Sequence, residues 1–406
     1  MTPPRLFDTP FIGYLISRSL MGVANTMLVM TLGWHLYELT GDAWSLAFVG
    51  LAQIIPVYAF FFVSGIVIDY VPRIWVLRVC GFVEGLAVIG IGFLMTVPDP
   101  NLWAIYGLIV IHGTGRAFQG PASQAIVPNI VHESVLDRAV AVSTTAWNTA
   151  MIFGPAVGGL LIAWLDRSTY FVVASLIAVA FVNLYLVPTF KVAHSTDRTL
   201  RSFFDGLRFV KNQPVILGGL TVDMLMVGFG SVMVLLPIYA IDVLQVGAES
   251  LGIMRAAPAL GSISVGLILA SRPPMRQAGQ RLFIALTVFA LSILVFAISN
   301  SYWLSLLGLC VYVASEMISM NLRLAMVHRA TPDHLRGRVS AVNMLFIQTS
   351  NEAGDFRGGS FAAMFGPVVT GVLGAGIAAT VLIWSRWQFA PLYQLDRTAD
   401  LTPAED

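Results

Sequence analysis

Apolar residues run through this chain in long blocks separated by short polar connections, with no two-residue alternation anywhere along them. The blocks fall near 11–37, 43–68, 74–97, 101–124, 139–165 and 168–188. They recur near 214–241, 248–271, 281–299, 301–327, 339–365 and 367–387. Crossing about 30 Å of hydrocarbon takes roughly 20 residues of helix. A backbone in lipid that lacks the alternation of a barrel strand must satisfy its hydrogen bonds within a helix. The pattern therefore predicts an all-α membrane protein of twelve transmembrane helices. The polar stretch Met1–Pro10 precedes a block longer than a signal peptide's core, so that block reads as an uncleaved first span.

The longest polar stretch between blocks divides the chain near its middle. It predicts a six-helix half over 1–188, a cytoplasmic linker over 189–213, a second six-helix half over 214–388 and a cytoplasmic tail over 389–406. In the linker, Leu200, Phe203, Phe204, Leu207 and Phe209 suit a short helix lying on the membrane surface. A constant shift of 200 residues lays Val127, Arg138, Ala141 and Val142 on Val327, Arg338, Ala341 and Val342, and Glu133 on Asp333. The same shift lays Gly154, Gly158 and Gly159 on Gly354, Gly358 and Gly359 without a gap. Duplicated halves related by a pseudo-twofold axis, with a ligand site at the midplane, are the architecture of many secondary transporters.

Composition agrees with the pattern: 57% of residues are hydrophobic and 11% charged, too little polar surface to cover a soluble globule of 406 residues. The net charge of +1 conceals an asymmetry. Arg5, Arg73, Arg78, Arg138, the linker cations Lys191 to Lys211, Arg272, Arg276, Arg281, Arg329, Arg336, Arg338, Arg386 and Arg397 fall on one side of the spans, and Arg167 alone on the other. The positive-inside rule then places both termini in the cytoplasm, in a bacterial inner membrane. No basic patch remains for nucleic acid. Cys80 and Cys310 lie inside blocks without CxxC spacing, which supports neither a disulfide framework nor a zinc site.

The residues also resemble the major facilitator superfamily over essentially the whole chain. Gly65, Asp69 and Arg73 stand in a stretch similar to that family's loop motif G-x-x-x-D-(R/K)-x-G-(R/K), with Tyr70 at one of its two basic positions and Pro72 at its last glycine. Arg116, Gln119 and Gly120 resemble the R-x-x-Q-G motif, whose arginine the family links to proton coupling. Gly154, Pro155, Gly158 and Gly159 resemble the core of a motif associated with exporters. With Ser350–Gly359, these segments look closest to the drug and siderophore efflux branch that includes the enterobactin exporter and macrolide efflux proteins. The resemblance implies gating roles for these motif residues. Independently of it, glycines four apart let a neighbouring backbone approach closely and Pro155 permits a bend, and simple helix packing explains them equally well.

Ionisable residues at membrane depth cost about 2.5–3.5 kcal/mol each on insertion scales, so each is a functional candidate. They are Arg18, Glu84, Arg116, Asp223, Arg255, Glu316, Arg323, Glu352, Asp355 and Arg357. For Arg18 and Arg323, near span ends, snorkelling competes with function, and Glu84 lies on a third span that the family keeps peripheral. The 200-residue shift puts Arg116 on Glu316, and a shift of 205 puts Arg18 on Asp223, so each could pair across the halves. Proton coupling is accordingly expected of Arg116, Glu316, Asp223, Glu352 and Asp355. The last two, three apart and on one helical face, share a proton or pair with Arg357 or Arg255. Cavity lining is expected of Arg18, Met21, Asn25, Trp34, Arg255, Asn351 and Arg357. The methionines and aromatics are equally ordinary packing residues.

These readings predict a secondary transporter, proton-coupled and exporting a drug, siderophore or metabolite. Import or facilitated diffusion of a nutrient is the alternative within transport, and a non-transporting membrane sensor the alternative outside it. The chain has no G-x-x-x-x-G-K-(S/T), no H-E-x-x-H and no G-x-S-x-G, and His112, His328 and His334 lack ligand spacing. No enzyme activity, metal or cofactor is expected. The expected partners are the substrate, protons and the bilayer, with the proton gradient as energy source and a monomer as the working unit.

Overall fold

The computed structural model describes residues 6–190, 200–271, 276–332, 335–397 and 401. Arg5, Lys191, Arg198, Arg272 and Asp333 lie outside the described residues, as do the side chains of Leu200, Arg201, Phe203, Arg336 and Ala341. Every predicted block is helical, and the described residues contain no strand.

The first five spans are α1 (Thr9–Thr40), α2 (Trp44–Tyr70), α3 (Arg73–Thr96), α4 (Leu102–Ile130) and α5 (Leu136–Leu165). The sixth is α6 (Thr169–Asn183), prolonged by a 3₁₀ turn over Leu184–Leu186. Helix α2 bends by 57° between Trp44–Phe60 and Val63–Tyr70, shortly after Pro56. The linker forms α7 (Leu200–Asn212). The seventh span is broken: α8 (Pro214–Gly230) stops, a 3₁₀ turn spans Met233–Leu235, and α9 (Leu236–Ile238) leads into a π turn over Tyr239–Val243. The eighth divides into α10 (Ala248–Ala256) and α11 (Pro258–Ser271), as a proline without an amide donor requires. Then follow α12 (Ala278–Ile298), α13 (Tyr302–Ala330), α14 (Arg336–Phe365), α15 (Pro367–Gln388) and the short α16 (Ala390–Gln394).

Among the described residues, eight stretches are long and apolar enough to cross a membrane, or nine with the bent α2. One of the eight, Arg138–Leu186, is 49 residues long and holds the fifth and sixth blocks together. The two helices missing from that set are α4 and α14, which carry Arg116 and Gln119, and Asn351 to Arg357. Polarity, not length, sets them apart.

The chain forms two compact units: Met1–Gly41, Phe48–Thr196 and Gly247–Ile253 in one, and Asp42–Ala47, Asp197–Val246 and Met254–Asp406 in the other. In the first, α1 packs on α5 and α6, and α3 on α4 and α6. In the second, α8 packs on α14 and α15, and α12 on α13 and α15. The same pairings thus recur at equivalent positions. The sequence register recurs as well. A Cβ at Gly154 of α5 would lie 2.9 Å from the Val23 carbonyl of α1, and one at Gly354 of α14 would lie 3.0 Å from the Val227 carbonyl of α8. Gly159 meets Ala248 and Gly252 at the start of α10, and Gly359 meets Ala47 at the start of α2.

Within the first unit, Leu28, Leu32, Val88, Ile91, Ile109 and Ile177 form one apolar core, and Phe11, Ile74, Leu77 and Ile126 another. Buried Arg78 of α3 donates to the carbonyls of Leu184 and Val187 where the sixth span ends. In the second unit, Val210 of α7 is buried with Ile216, Leu220, Val327, Val339 and Val342. Arg338 and Asp205 form a 3.3 Å ion pair between α14 and α7. The linker helix is therefore docked on its own unit. Trp164, Trp303 and Trp387, at span ends, are exposed as interfacial aromatics are.

Candidate functional site

In the first unit, the intramembrane polar residues gather where α1, α2, α3 and α4 meet. Glu84 of α3 is fully buried, and its carboxylate lies so close to Gly115 that a Cβ there would sit 2.7 Å from Glu84 Cγ. Gln119 Nε2 donates to Glu84 Oε2 at 3.5 Å, and His112 Nε2 stands 4.0 Å from the same oxygen. His112 Nε2 is 3.1 Å from Asn25 Oδ1 of α1, an oxygen that only accepts, so this nitrogen carries the ring proton. Glu84 Oε1 has no hydrogen-bond partner among the described residues. One turn from His112, Arg116 donates from Nη1 to Gln53 Oε1 of α2 at 2.6 Å and faces Glu84 electrostatically. Asn25, Arg116 and Gln119 thus come together as sequence candidates. Glu84, His112 and Gln53 belong with them, although Glu84 stands on a span expected to be peripheral and His112 lacks metal-ligand spacing.

Arg18 sits nearer the start of α1 and is held by other groups. Its Nη1 donates to Tyr14 Oη at 3.1 Å and to Ser123 Oγ, and its guanidinium lies 5.3 Å from the Trp147 ring centroid. Met21 is 5% exposed within the apolar core, and Trp34 is half-buried.

In the second unit, Asp223 Oδ2 of α8 and Arg323 Nη1 of α13 are 2.6 Å apart, both side chains under a tenth exposed. Arg323 Nε also donates to Ser319 Oγ at 3.3 Å. Helix packing inside one unit thus brings a cation and an anion 100 positions apart into contact, and Arg323, for which snorkelling competed with function, has a buried partner. Glu316, two turns before Arg323 on the same helix, is within electrostatic reach of both.

A second group surrounds the break in the seventh span. Beyond Gly230 the carbonyls of Ser231 and Met233 leave the regular helix and receive arginine donors, Arg357 Nη2 at 3.2 Å and Arg255 Nη2 at 3.3 Å; the Met233 carbonyl also accepts the Leu236 amide. Ser231 Oγ donates to Asp355 Oδ1 at 3.2 Å. Asp355 interacts electrostatically with Glu352, Arg255 and Arg357, so the predicted grouping on α14 is brought together around this break. Arg357 Nε and Nη1 and Arg255 Nε have no hydrogen-bond partner among the described residues. Asn351 is exposed. Irregular backbone at membrane depth needs such polar partners, and in transporters it accompanies ligand and ion sites.

Among the motif residues, Arg73 donates to the Ala125 carbonyl at 2.8 Å and to Asn129 Oδ1, so it secures the end of α4 and is not reserved for Asp69 one turn away. A Cβ at Gly65 or Gly120 would meet nothing within 4 Å. At Gly154 and Gly159 it would collide with the neighbouring helix, whereas at Gly158 it would touch Met27 at 3.4 Å. The Pro155 carbonyl lies 3.1 Å from where a Cβ on Gly252 would stand.

The family model described as Major Facilitator Superfamily matches residues 14–352. The chain is 25% identical over 349 residues to the multidrug efflux pump Tap of Mycolicibacterium fortuitum, covering 82% of this chain and 84% of that protein. It is 24% identical over 368 residues to the enterobactin exporter EntS of Escherichia coli O81 (strain ED1a), covering 88% and 84%. The nucleoside transporter NupG superposes with a TM-score of 0.71 at 15% identity, over 93% of this chain and 98% of that one. A bacterial homologue of the human lysosomal transporter Spinster, in an inward-facing and unoccupied conformation, gives 0.72 at 12% identity, over 94% and 95%.

Proposed function

Because the chain belongs to the major facilitator superfamily and is a multi-pass membrane transporter, we propose that it exports a small molecule from a bacterial cytoplasm by alternating access, coupled to inward proton movement. The coupling rests on one observation: carboxylates at membrane depth are built into polar clusters of each half, Glu84 among His112, Gln119 and Arg116, and Glu316 beside the Asp223–Arg323 pair. A carboxylate in that setting has two low-cost forms, paired with a cation or carrying a proton, and a conformational change that alters its neighbours exchanges one for the other. Outward direction is supported by the likeness to an efflux pump and an exporter over more than four fifths of both chains. The substrate class is a drug, siderophore or metabolite, and both termini lie in the cytoplasm.

Everted membrane vesicles test this reading. Labelled antibiotics and a labelled catecholate siderophore are offered with and without an acid-inside gradient. At least one should accumulate with the gradient and leave when a protonophore is added. Accumulation only in right-side-out vesicles, or uptake indifferent to gradient and protonophore, would overturn it.

A further inference from the structure

Outside the intramembrane clusters, one titratable group stands apart at the C-terminal end of α1. His35 is fully buried, Glu38 lies one turn on along the same face, and Asp166 comes from the 3₁₀ turn Asp166–Ser168 that joins α5 to α6. His35 Nε2 and Asp166 Oδ1 are 3.0 Å apart, and one oxygen of Glu38 is within 4.8 Å of both. We propose that these three residues form a binding site for a divalent transition metal, zinc in the first instance, that clamps α1 to the α5–α6 connection.

The ring is held for this task from behind. Tyr170 Oη lies 3.3 Å from His35 Nδ1 and donates to the Thr31 carbonyl at 3.3 Å. Without an ion, Nε2–H donates to Asp166 Oδ1; when an ion takes the place of that proton, the Tyr170 oxygen is free to accept Nδ1–H and the Nε2 lone pair is left for the metal. A ligating histidine is commonly oriented in this way through its second nitrogen. Asp166 is held at φ 48° and ψ −128°, a conformation unfavourable for a residue with a Cβ, and it is this turn that carries the carboxylate to the ring.

The spacing suits coordination. Ligand atoms about 2.0–2.2 Å from a tetrahedral zinc stand roughly 3.3 Å from one another. The His35–Asp166 pair, at 3.0 Å, is a few tenths of an ångström closer than that, and the Glu38 oxygen lies within 4.8 Å of both. One imidazole and two carboxylates make a mixed nitrogen and oxygen set, which favours zinc or manganese over calcium or magnesium. The side chain of Asp166 is 71% exposed and Glu38 is exposed, so an ion has a path from water. Arg167, the neighbouring cation, is tied by Nη1 to the Met95 carbonyl at 2.9 Å. Two carboxylates against this one cation leave the site net negative before a metal binds.

The test uses the purified full chain in detergent, with any affinity tag removed and metals stripped by chelator, titrated with zinc chloride in a calorimeter and with cobalt chloride under visible absorbance. The proposal requires one zinc per chain, a melting temperature that rises with zinc, and a cobalt spectrum of low coordination number. Glu38→Gln and Asp166→Asn, on exposed side chains, should keep the fold and weaken binding at least tenfold. Tyr170→Phe should weaken it less while leaving the stoichiometry unchanged. Equal zinc affinity in wild type, Glu38→Gln and Asp166→Asn, or no binding at micromolar zinc, would reduce the cluster to a hydrogen-bonded His–Asp pair and overturn the proposal.

Discussion

Asp223 and Arg323 meet at 2.6 Å between α8 and α13, buried together inside the second unit. Removing one member of such a pair leaves an uncompensated charge in an apolar setting, typically at a cost of about 3–5 kcal/mol, whereas replacing both with apolar groups is often close to neutral. Asp223→Ala and Arg323→Ala should each lower the melting temperature in detergent sharply. The double variant Asp223→Ala/Arg323→Met should recover most of that loss. A double-mutant cycle on unfolding midpoints checks it, and additive effects would show that the pair contributes little.

If protons are carried by the buried carboxylates, their neutral isosteres separate coupling from binding. Glu316→Gln and Glu84→Gln should each reduce gradient-driven accumulation at least tenfold in proteoliposomes. Exchange of labelled for unlabelled substrate without a gradient should continue near the wild-type rate. A variant that still accumulates substrate against its gradient removes that residue from the coupling route.

The helical blocks and the repeat were legible because the bilayer dictates block length and because duplication leaves a fixed register. Gly154 and Gly354, matched by a 200-residue shift, do receive equivalent neighbours, α1 in one unit and α8 in the other. What escaped was partner choice. Asp223 meets Arg323 because α8 packs near α13, and Glu84 meets His112 because α3 packs on α4; neither follows from periodicity along one helix. The break at Ser231 escaped for a different reason: Val232, Met233, Val234 and Leu235 are as apolar as the helix before them, so hydropathy runs on unbroken although Gly230 and Pro237 flank the site. His35 and Asp166, 131 positions apart, share no local spacing that a search for metal ligands could detect.

The glycines divide into those that fit a neighbour and those that do not. A Cβ at Gly154 would lie 1.8 Å from Thr26 Oγ1 and 2.9 Å from a backbone carbonyl, so Gly154→Ala must displace α1. Overpacking of this kind costs about 1–3 kcal/mol. Gly120→Ala meets nothing and should leave stability unchanged or slightly higher, since alanine is the better helix former by roughly 0.5–1 kcal/mol. Unfolding midpoints of the two variants, measured side by side, decide between a packing role and a mere preference for small residues. Equal losses would count against the packing assignment.

The break in the seventh span makes the most local prediction. The Ser231 carbonyl would be unsatisfied at membrane depth without Arg357, and leaving one buried acceptor without a donor costs about 1–3 kcal/mol. Arginine presents several donors in a fixed plane, so Arg357 reaches the Ser231 carbonyl while its side chain remains beside Asp355 and over the Phe361 ring. Lysine has one compact ammonium on a flexible stem and cannot hold those places together. Arg357→Lys should therefore preserve the charge yet lower stability by about 1–3 kcal/mol, with faster amide exchange over 227–235 than in wild type. Ser231→Ala removes only the hydroxyl bond to Asp355 and keeps the carbonyl, so it should cost about 1 kcal/mol and leave that exchange pattern nearly intact. Hydrogen exchange on both variants separates the backbone contact from the side-chain contact. If Arg357→Lys leaves 227–235 as protected as before, the arginine is not what supports the break.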